Sequence, residues 1–418
     1  MMDLKEKIKE ANKKAANRMT AAEPVLIDLK PAIEVVPGMK DNSILHAGPP
    51  IEWERMCSTV KEFAIRTIIN EKLAKTREEA IKMAKRDEIE FSPAHDHNAV
   101  VGGYGVISAS QYVFILQNKS PPKNVAFGYF PAGYAATRSK TTRTREPKEV
   151  SVVRSTVQVD PIRVALQECG GLNLKTIIAR GLNMGCDFHG GGEPATALIV
   201  MKLAPYLARS NLDKNVITQT FESLDDFGAF SISVAMPACK VITDAAHGIE
   251  YSTVVTVMSR NGVEFGIKIS GLDDQWFTAP APMVEGIYMP GVTEKDVVPD
   301  LGDSSVTETA GLGGFAVAAS PGFMLSIGKT SADAFRQTKD MGEITVTKNS
   351  NFAIQWLDYE GVPTGIDFRK VLETGILPRI TTGISRKKPS LGKGGFGISK
   401  APIECFKKAL IAFNRKYG

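Results

Sequence analysis

Apolar residues recur along this chain with two different periods, and the changes between them mark out its elements. Residues 3–18 show a helical spacing filled with Lys, Glu and Ala, a solvated helix, and 25–27 and 32–36 read as short strands. A strand through Leu45 and His46 leaves by a Gly48-Pro49-Pro50 turn, with Pro50 placed to open a helix over 51–71. A second helix over 77–85 is announced by the capping box of Thr76 and Glu79. Residues 112–116 form an apolar strand. From Asp160 to Leu224 the pattern is helical, with helices expected at 160–169, 173–184, 194–209 and 213–224. Strand patterns return at 230–235, 253–259 and 263–269, the last two joined by a hairpin turn at Arg260-Asn261-Gly262, and then at 276–282 and 286–290.

This ordering predicts an α+β protein of three domains: a sheet-containing domain over 1–155, a small helical domain over 156–238, and a second sheet-containing domain over 239–418. The length of 418 residues is ample for such cores, and 43% hydrophobic with 23% charged residues is ordinary globular composition. A net charge of +5 suits a small anionic ligand, with no basic stripe for nucleic acid. The five cysteines are scattered, without a CxxC pair, which points to neither a disulfide framework nor a zinc ribbon and fits a reducing cytoplasm. No apolar run approaches the length of a membrane span. A homodimer is the default expectation for a soluble protein of this size.

The segment 302–322 is the one the chain is organised around. It is nearly all small residues, with five glycines and only Asp303 and Glu308 charged. On one reading the glycines lead into a helix beginning near Gly314, whose free amides seat a carboxylate or phosphate while Asp303 and Glu308 handle protons. On the other, the small residues serve close packing and Asp303 or Thr309 is an N-cap. There is no Walker lysine and no dinucleotide fingerprint, so no nucleotide cofactor is indicated.

Four histidines stand out. His46 at its turn faces a ligand or is a satisfied structural residue. In an extended Ala94-His95-Asp96-His97 stretch, His95 and His97 would project to one side, as a metal site or an anion clamp requires. Asp187 and His189, in the glycine-rich Cys186-Asp187-Phe188-His189-Gly190-Gly191-Gly192 turn, are candidates to join them, and Cys186 is a conceivable nucleophile. The basic stretch over 131–150, with Arg138, Lys140, Arg143, Arg145 and Lys148, is a solvated loop or a clamp for an anion.

The blocks 45–56, 259–267 (Ser-Arg-Asn-Gly-Val-Glu-Phe-Gly-Ile), 300–321, 361–367 (Gly-Val-Pro-Thr-Gly-Ile-Asp) and 401–406 (Ala-Pro-Ile-Glu-Cys-Phe) closely resemble the YlbE/YahG-like family, which includes the AllG subunit of oxamate carbamoyltransferase. The resemblance runs in order from about residue 26 to 413. It implies a three-domain α+β architecture and a role in anaerobic ureide or purine breakdown. The implied reaction is phosphorolysis of oxalurate to oxamate and carbamoyl phosphate, in a complex with an FdrA-type subunit and a third protein. The chemistry needs donors for a developing oxyanion, cations for phosphate and an acid for the leaving nitrogen. His95, His97, Asp187, His189, Asp303 and Glu308 are the catalytic candidates. His46, Arg138, Arg260, Asn261, Gly313, Gly314, Thr364 and Asp367 are the substrate-binding candidates. A metal is possible but not predicted.

Several blocks depart from the family pattern. Its Met-Gly-Asp-Glu-x-His-Asn-Arg-Asn is here Met184-Gly185-Cys186-Asp187-Phe188-His189-Gly190-Gly191-Gly192, which keeps the histidine but loses an arginine and one acid. Its Cys-His-His-His is Ala94-His95-Asp96-His97, its Leu-Arg-Phe-Gly segment falls at 132–139, and its Asn-Thr-Gly-Ile-Ala-His-Lys is Thr381-Thr382-Gly383-Ile384-Ser385-Arg386-Lys387. These departures imply a different ureide-like or carboxylate substrate, a non-catalytic scaffold subunit, or a metal-dependent amidohydrolase on His95, His97, Asp187 and His189.

Overall fold

A computed structural model describes residues 3–102, 105–130, 152–226, 230–388 and 393–418. The basic stretch and Arg138 lie outside them. The class is α+β, as the pattern implies, built on several mixed and antiparallel sheets. One sheet has five strands in the order Ala99–Val100, Val125–Tyr129, Tyr112–Asn118, Pro24–Pro31, Leu172–Asn173. A second has four: Phe277–Pro280, Glu264–Ile269, Val255–Asn261 and Leu301–Gly302. Glu90–Pro93, Ser43–His46 and Ile107–Ser108 make a third, and Glu285–Tyr288, Lys393–Lys400 and Arg379–Ser385 a fourth. Thr345–Ile354 pairs with Glu360–Ile366 as a two-stranded ribbon.

Local chemistry accounts for many boundaries. Thr76 caps the helix Arg77–Lys85 by accepting from the Glu79 amide, and Asn173 caps Leu174–Leu182 by accepting from the Thr176 amide. Glu193–Arg209 and Lys214–Asp226 complete the helical series. Gly262, at φ +80°, turns the chain between Val255–Asn261 and Glu264–Ile269, which pair antiparallel, as the Asn-Gly signal requires.

Other expectations are overturned. Residues 230–235 are not a strand but open the helix Phe230–Asp244, buried on nearly every face. A helix apolar all round has no amphipathic period and reads like a buried strand. Its Pro237 packs against Gly128 of the five-stranded sheet, where any Cβ would collide with the proline ring. Residues 32–36 form a single helical turn, Ala32–Val35, whose first amides donate to Gln111 and Ala109 carbonyls. The helix expected over 51–71 divides into a 3-10 turn Trp53–Arg55 and the helix Ser58–Asn70, so Pro50 does not open it. Pro161 lies inside the helix Val152–Cys169 rather than starting it.

The glycine-rich segment sits at the centre. Every residue from 301 to 320 is buried, and Ala310, Leu312 and Ala316 share one apolar cluster with Met19 of the helix Leu4–Ala21, Leu26 of the five-stranded sheet, Ile162 and Val234. No α-helix begins near Gly314. The segment folds as short turns, with 3-10 geometry at Gly313–Phe315 and Val317–Ala319, and the next α-helix starts at Pro321. Gly313 adopts φ +54°, which is incompatible with a right-handed α-helical start there.

Candidate active site

The two carboxylates of the central segment each meet a histidine brought from elsewhere. Glu308, fully buried in the short helix Val306–Thr309, accepts from His189 Nδ1 at 2.8 and 2.9 Å through its two oxygens. The Gly314 amide (2.8 Å), the Thr381 amide and hydroxyl (3.2 Å each) and the Thr307 hydroxyl (3.0 Å) complete its shell. Because a carboxylate only accepts, the His189 proton sits on Nδ1, and Nε2 is left as the basic nitrogen. A carboxylate held on Nδ1 in this way can orient an imidazole for general acid-base chemistry.

Glycine is required to build it. A Cβ on Gly313 would collide with Glu308 Oε1 and lie 3.0 Å from the His189 Cβ, and one on Gly314 would collide with the Arg379 carbonyl. These glycines therefore provide close approach rather than an anion seat, and the Gly314 amide is spent on Glu308 itself. The His189 loop is shaped by Asp187, whose Oδ1 accepts from the amides of His189, Gly190 and Gly191 at 2.8–3.0 Å. Burial pushes the Asp187 carboxyl above its usual range, and its Oδ2 has no hydrogen-bond partner among the described residues. Cys186 is buried, its thiol pushed up by burial, and it donates to the Gly191 carbonyl at 2.8 Å, the surroundings of an inert thiol.

Asp303 forms the second centre. Its Oδ1 accepts from the Gly48 amide at 3.0 Å and from the Ser259 hydroxyl, and its Oδ2 from the Val101 amide at 2.8 Å. His95 Nε2 stands 3.6 Å from Oδ1. Burial raises the Asp303 carboxyl to about 6 and holds both His95 and His46 below the usual imidazole range, with Lys240 and Lys268 adding to the depression at His95. Ser259 could have been read from strand parity: it shares a face with Asn261, and both reach the 47–50 turn, where Asn261 donates to the Pro49 carbonyl at 3.0 Å. Lys268, Asp96 and Trp276, which surround this centre, carried no local motif. Asp96 accepts from Lys268 at 2.6 Å and from the Trp276 indole at 3.1 Å.

The remaining candidates divide differently from expectation. His95 and His97 lie in a 3-10 turn, Ala94–His97, and so do not share a side. His97 is held between the Pro37 carbonyl at 2.6 Å and the Ser92 hydroxyl at 2.7 Å. His95, His97, Asp187 and His189 thus do not form one ligand set, and among the described residues no three His, Cys, Asp or Glu side chains are grouped to hold a metal ion. Arg260 is fully buried and faces Asp300, to which Nε and Nη2 donate at 2.9 and 3.0 Å, with further bonds to the Gly302 carbonyl, Ser304 and Thr382. All five of its N–H groups are occupied, so it braces the central segment rather than offering a phosphate clamp. The Asn261 Oδ1 accepts from Val263 and Glu264 amides and holds the hairpin. Thr364 donates to the Val362 carbonyl. Asp367 caps the helix Phe368–Thr374 and binds Arg369, Asn12 and Thr253 in a buried network of its own.

Comparison with known proteins gives the family of the chain. Residues 89–304, just over half of the chain, match the family described as oxamate carbamoyltransferase subunit AllG. The chain is 39% identical to YahG, an uncharacterized protein of Escherichia coli (strain K12), over 99% of this chain and 88% of that one. It is 32% identical to the oxamate carbamoyltransferase subunit AllG of the same organism, over 98% and 99% of the two chains. The chain belongs to the AllG/YahG family. A crystal structure of a conserved protein of unknown function from Enterococcus faecalis V583 has the same fold, with a TM-score of 0.94, 38% identity and full coverage of both chains. The AllG-matching stretch includes His95, Asp187, His189, Ser259 and Asp303, and Glu308 follows it by four residues. Among the described residues, no helix is long and apolar enough to cross a membrane.

Proposed function

We propose that this chain is the subunit of an oxamate-carbamoyltransferase-like complex that carries the proton-transfer machinery for carbamoyl transfer between oxalurate and phosphate. The observation behind the reading is the His189–Glu308 pair, with Nδ1 bound to a buried carboxylate at 2.8 Å. A hydrogen phosphate oxygen attacks the carbamoyl carbon of oxalurate, and His189 Nε2 takes its proton. The C–N bond then breaks, and the imidazolium, stabilised by Glu308, returns that proton to the leaving nitrogen of oxamate. Atoms and charge balance with carbamoyl phosphate and oxamate as products. Because the Arg260 donors and the Gly314 amide are committed internally, the cation for phosphate is Arg138 or a group on an FdrA-type or third subunit. This favours a shared site over a complete one in a single chain.

The test is carbamoyl phosphate formation from oxalurate and phosphate by the chain alone and in its assembled complex. Product from the complex that is lost with His189→Asn supports the reading. Assembly without product overturns it, and product that survives His189→Asn assigns the chain a scaffold role.

A further inference from the structure

The mechanism above uses Glu308 and His189 and leaves unexplained the two buried imidazoles beside Asp303. His46 is 1% and His95 4% exposed. His46 Nε2 and both ring nitrogens of His95 have no hydrogen-bond partner among the described residues. Buried polar atoms of this kind are uncommon, and each costs free energy unless something pairs with it. The backbone brings the two residues into the same region. His46 lies opposite Pro93 in the parallel pairing of Ser43–His46 with Glu90–Pro93, and His95 follows two residues later. Gly48, two residues after His46, donates to the same Asp303 oxygen that His95 Nε2 faces.

Their tautomers follow from what they touch. His46 Nδ1 is 2.9 Å from the Ala47 carbonyl, which only accepts, so the proton is on Nδ1 and Nε2 carries a lone pair. At 3.6 Å the Asp303 carboxylate is beyond hydrogen-bond reach of His95 Nε2, but its negative charge favours the tautomer with the proton on that nitrogen, which leaves Nδ1 as a second lone pair. Both rings are neutral, because burial disfavours their charged forms. The lone pairs on His46 Nε2 and His95 Nδ1 are therefore two acceptors without a donor among the described residues. Lys240 and Lys268, buried nearby, are committed to Asp244 and Asp96 and weigh against a cationic donor at His95.

We infer that His46 Nε2 and His95 Nδ1 recognise the N–H groups of a neutral amide or ureido function in a small ligand, beside the Asp303 clamp. Only the choice of probe rests on the carbamoyltransferase reading; the geometry does not. The experiment uses the full chain, 15N-labelled at its histidines, in complex with its partner subunits, and titrates it with oxamate and with oxalate, which has no N–H. Oxamate is expected to shift the unprotonated His46 Nε2 and His95 Nδ1 resonances and to bind roughly ten- to hundredfold more tightly than oxalate. His46→Phe and His95→Phe should each erase that preference, while the wild-type nitrogen shifts stand even where a variant fails to fold. His97, both of whose nitrogens are hydrogen-bonded, serves as the internal control. The inference is overturned if oxalate produces the same shifts, or if saturating oxamate leaves both nitrogens unchanged, the result expected if a buried water satisfies them. Oxamate-dependent shifts in a complex that makes no carbamoyl phosphate would sink the proposed reaction alone. Turnover with silent nitrogens would sink only this inference.

Discussion

Asp303 and Glu308 are five residues apart on one buried segment, yet they do different work. Asp303 gathers the Gly48 and Val101 amides and the Ser259 hydroxyl. Those groups come from the end of the Ser43–His46 strand, the end of Ala99–Val100 and the middle of Val255–Asn261, so one side chain ties three sheets together. Its histidine stands back at 3.6 Å. Glu308 takes the opposite arrangement, gripping His189 with both oxygens and leaving that ring 6% exposed. A carboxylate whose donors are mostly backbone amides is a clamp. One bonded to the Nδ1 of a histidine has the geometry to orient that ring. The contrast can be tested residue by residue.

The largest effect belongs to Glu308→Gln. The amide cannot stabilise the imidazolium and places a donor against His189, so carbamoyl phosphate formation by the complex should fall by about 10²–10⁴-fold, with KM changing little. A loss under tenfold would mean that His189 does not need Glu308 as its partner.

Gly313→Ala attacks the same centre sterically. The added methyl meets Glu308 Oε1 in a left-handed backbone conformation, and the two penalties together are expected to cost about 3 kcal/mol in denaturant unfolding. A glycine with no neighbour within 4 Å, such as Gly342 in the helix Ser331–Glu343, should instead gain a few tenths to about 1 kcal/mol on the same replacement. If both replacements behave alike, the close approach at Gly313 is not what sets its residue type.

How much of this was readable beforehand follows from the kind of signal each feature leaves. The capped helices and the Asn261-Gly262 turn were legible because local hydrogen bonds fix them. Asp303, Glu308 and His189 stand out as polar groups in glycine-rich segments and His95 by its His-Asp-His stretch, and the structure brings them together in pairs, although no spacing along the chain says which acid meets which histidine. Arg260 was read as a phosphate ligand because its partner, Asp300, lies 40 residues away and becomes visible only when the strands pair. The helix Phe230–Asp244 was missed because burial on all sides removes the period that distinguishes a helix from a strand.

The clamp should show itself in pH. The Asp303 carboxyl lies at about 6 in the folded chain because of burial, against an ordinary 3.8. Between those values the unfolded chain has lost a proton that the folded one still holds, so the Asp303 contribution favours folding fully below pH 4 and fades as the pH rises through 6. The difference amounts to at most about 3 kcal/mol. Unfolding free energies from pH 4 to 7 should therefore show a downward component in the wild type that is absent from Asp303→Asn, whatever that variant's overall stability. Parallel curves would place the Asp303 carboxyl in its ordinary range and remove this mark of a buried clamp.

The smallest effect separates a histidine of neither centre from the two that belong to them. The carbonyl of Pro37 can only accept, so His97 carries its proton on Nδ1, and its Nε2 accepts from the Ser92 hydroxyl. Both nitrogens are thus used in joining the 3-10 turn Ala94–His97 to the loop before the Ser43–His46 strand and to the Glu90–Pro93 strand. His97→Asn gives up one or both bonds at a partly exposed position, at a cost of about 1 kcal/mol, and turnover by the complex should stay within about twofold. A loss of turnover comparable with that of Glu308→Gln, in a variant of unchanged stability, would bring His97 into the chemistry and require the turn to open toward Asp303 in the working complex.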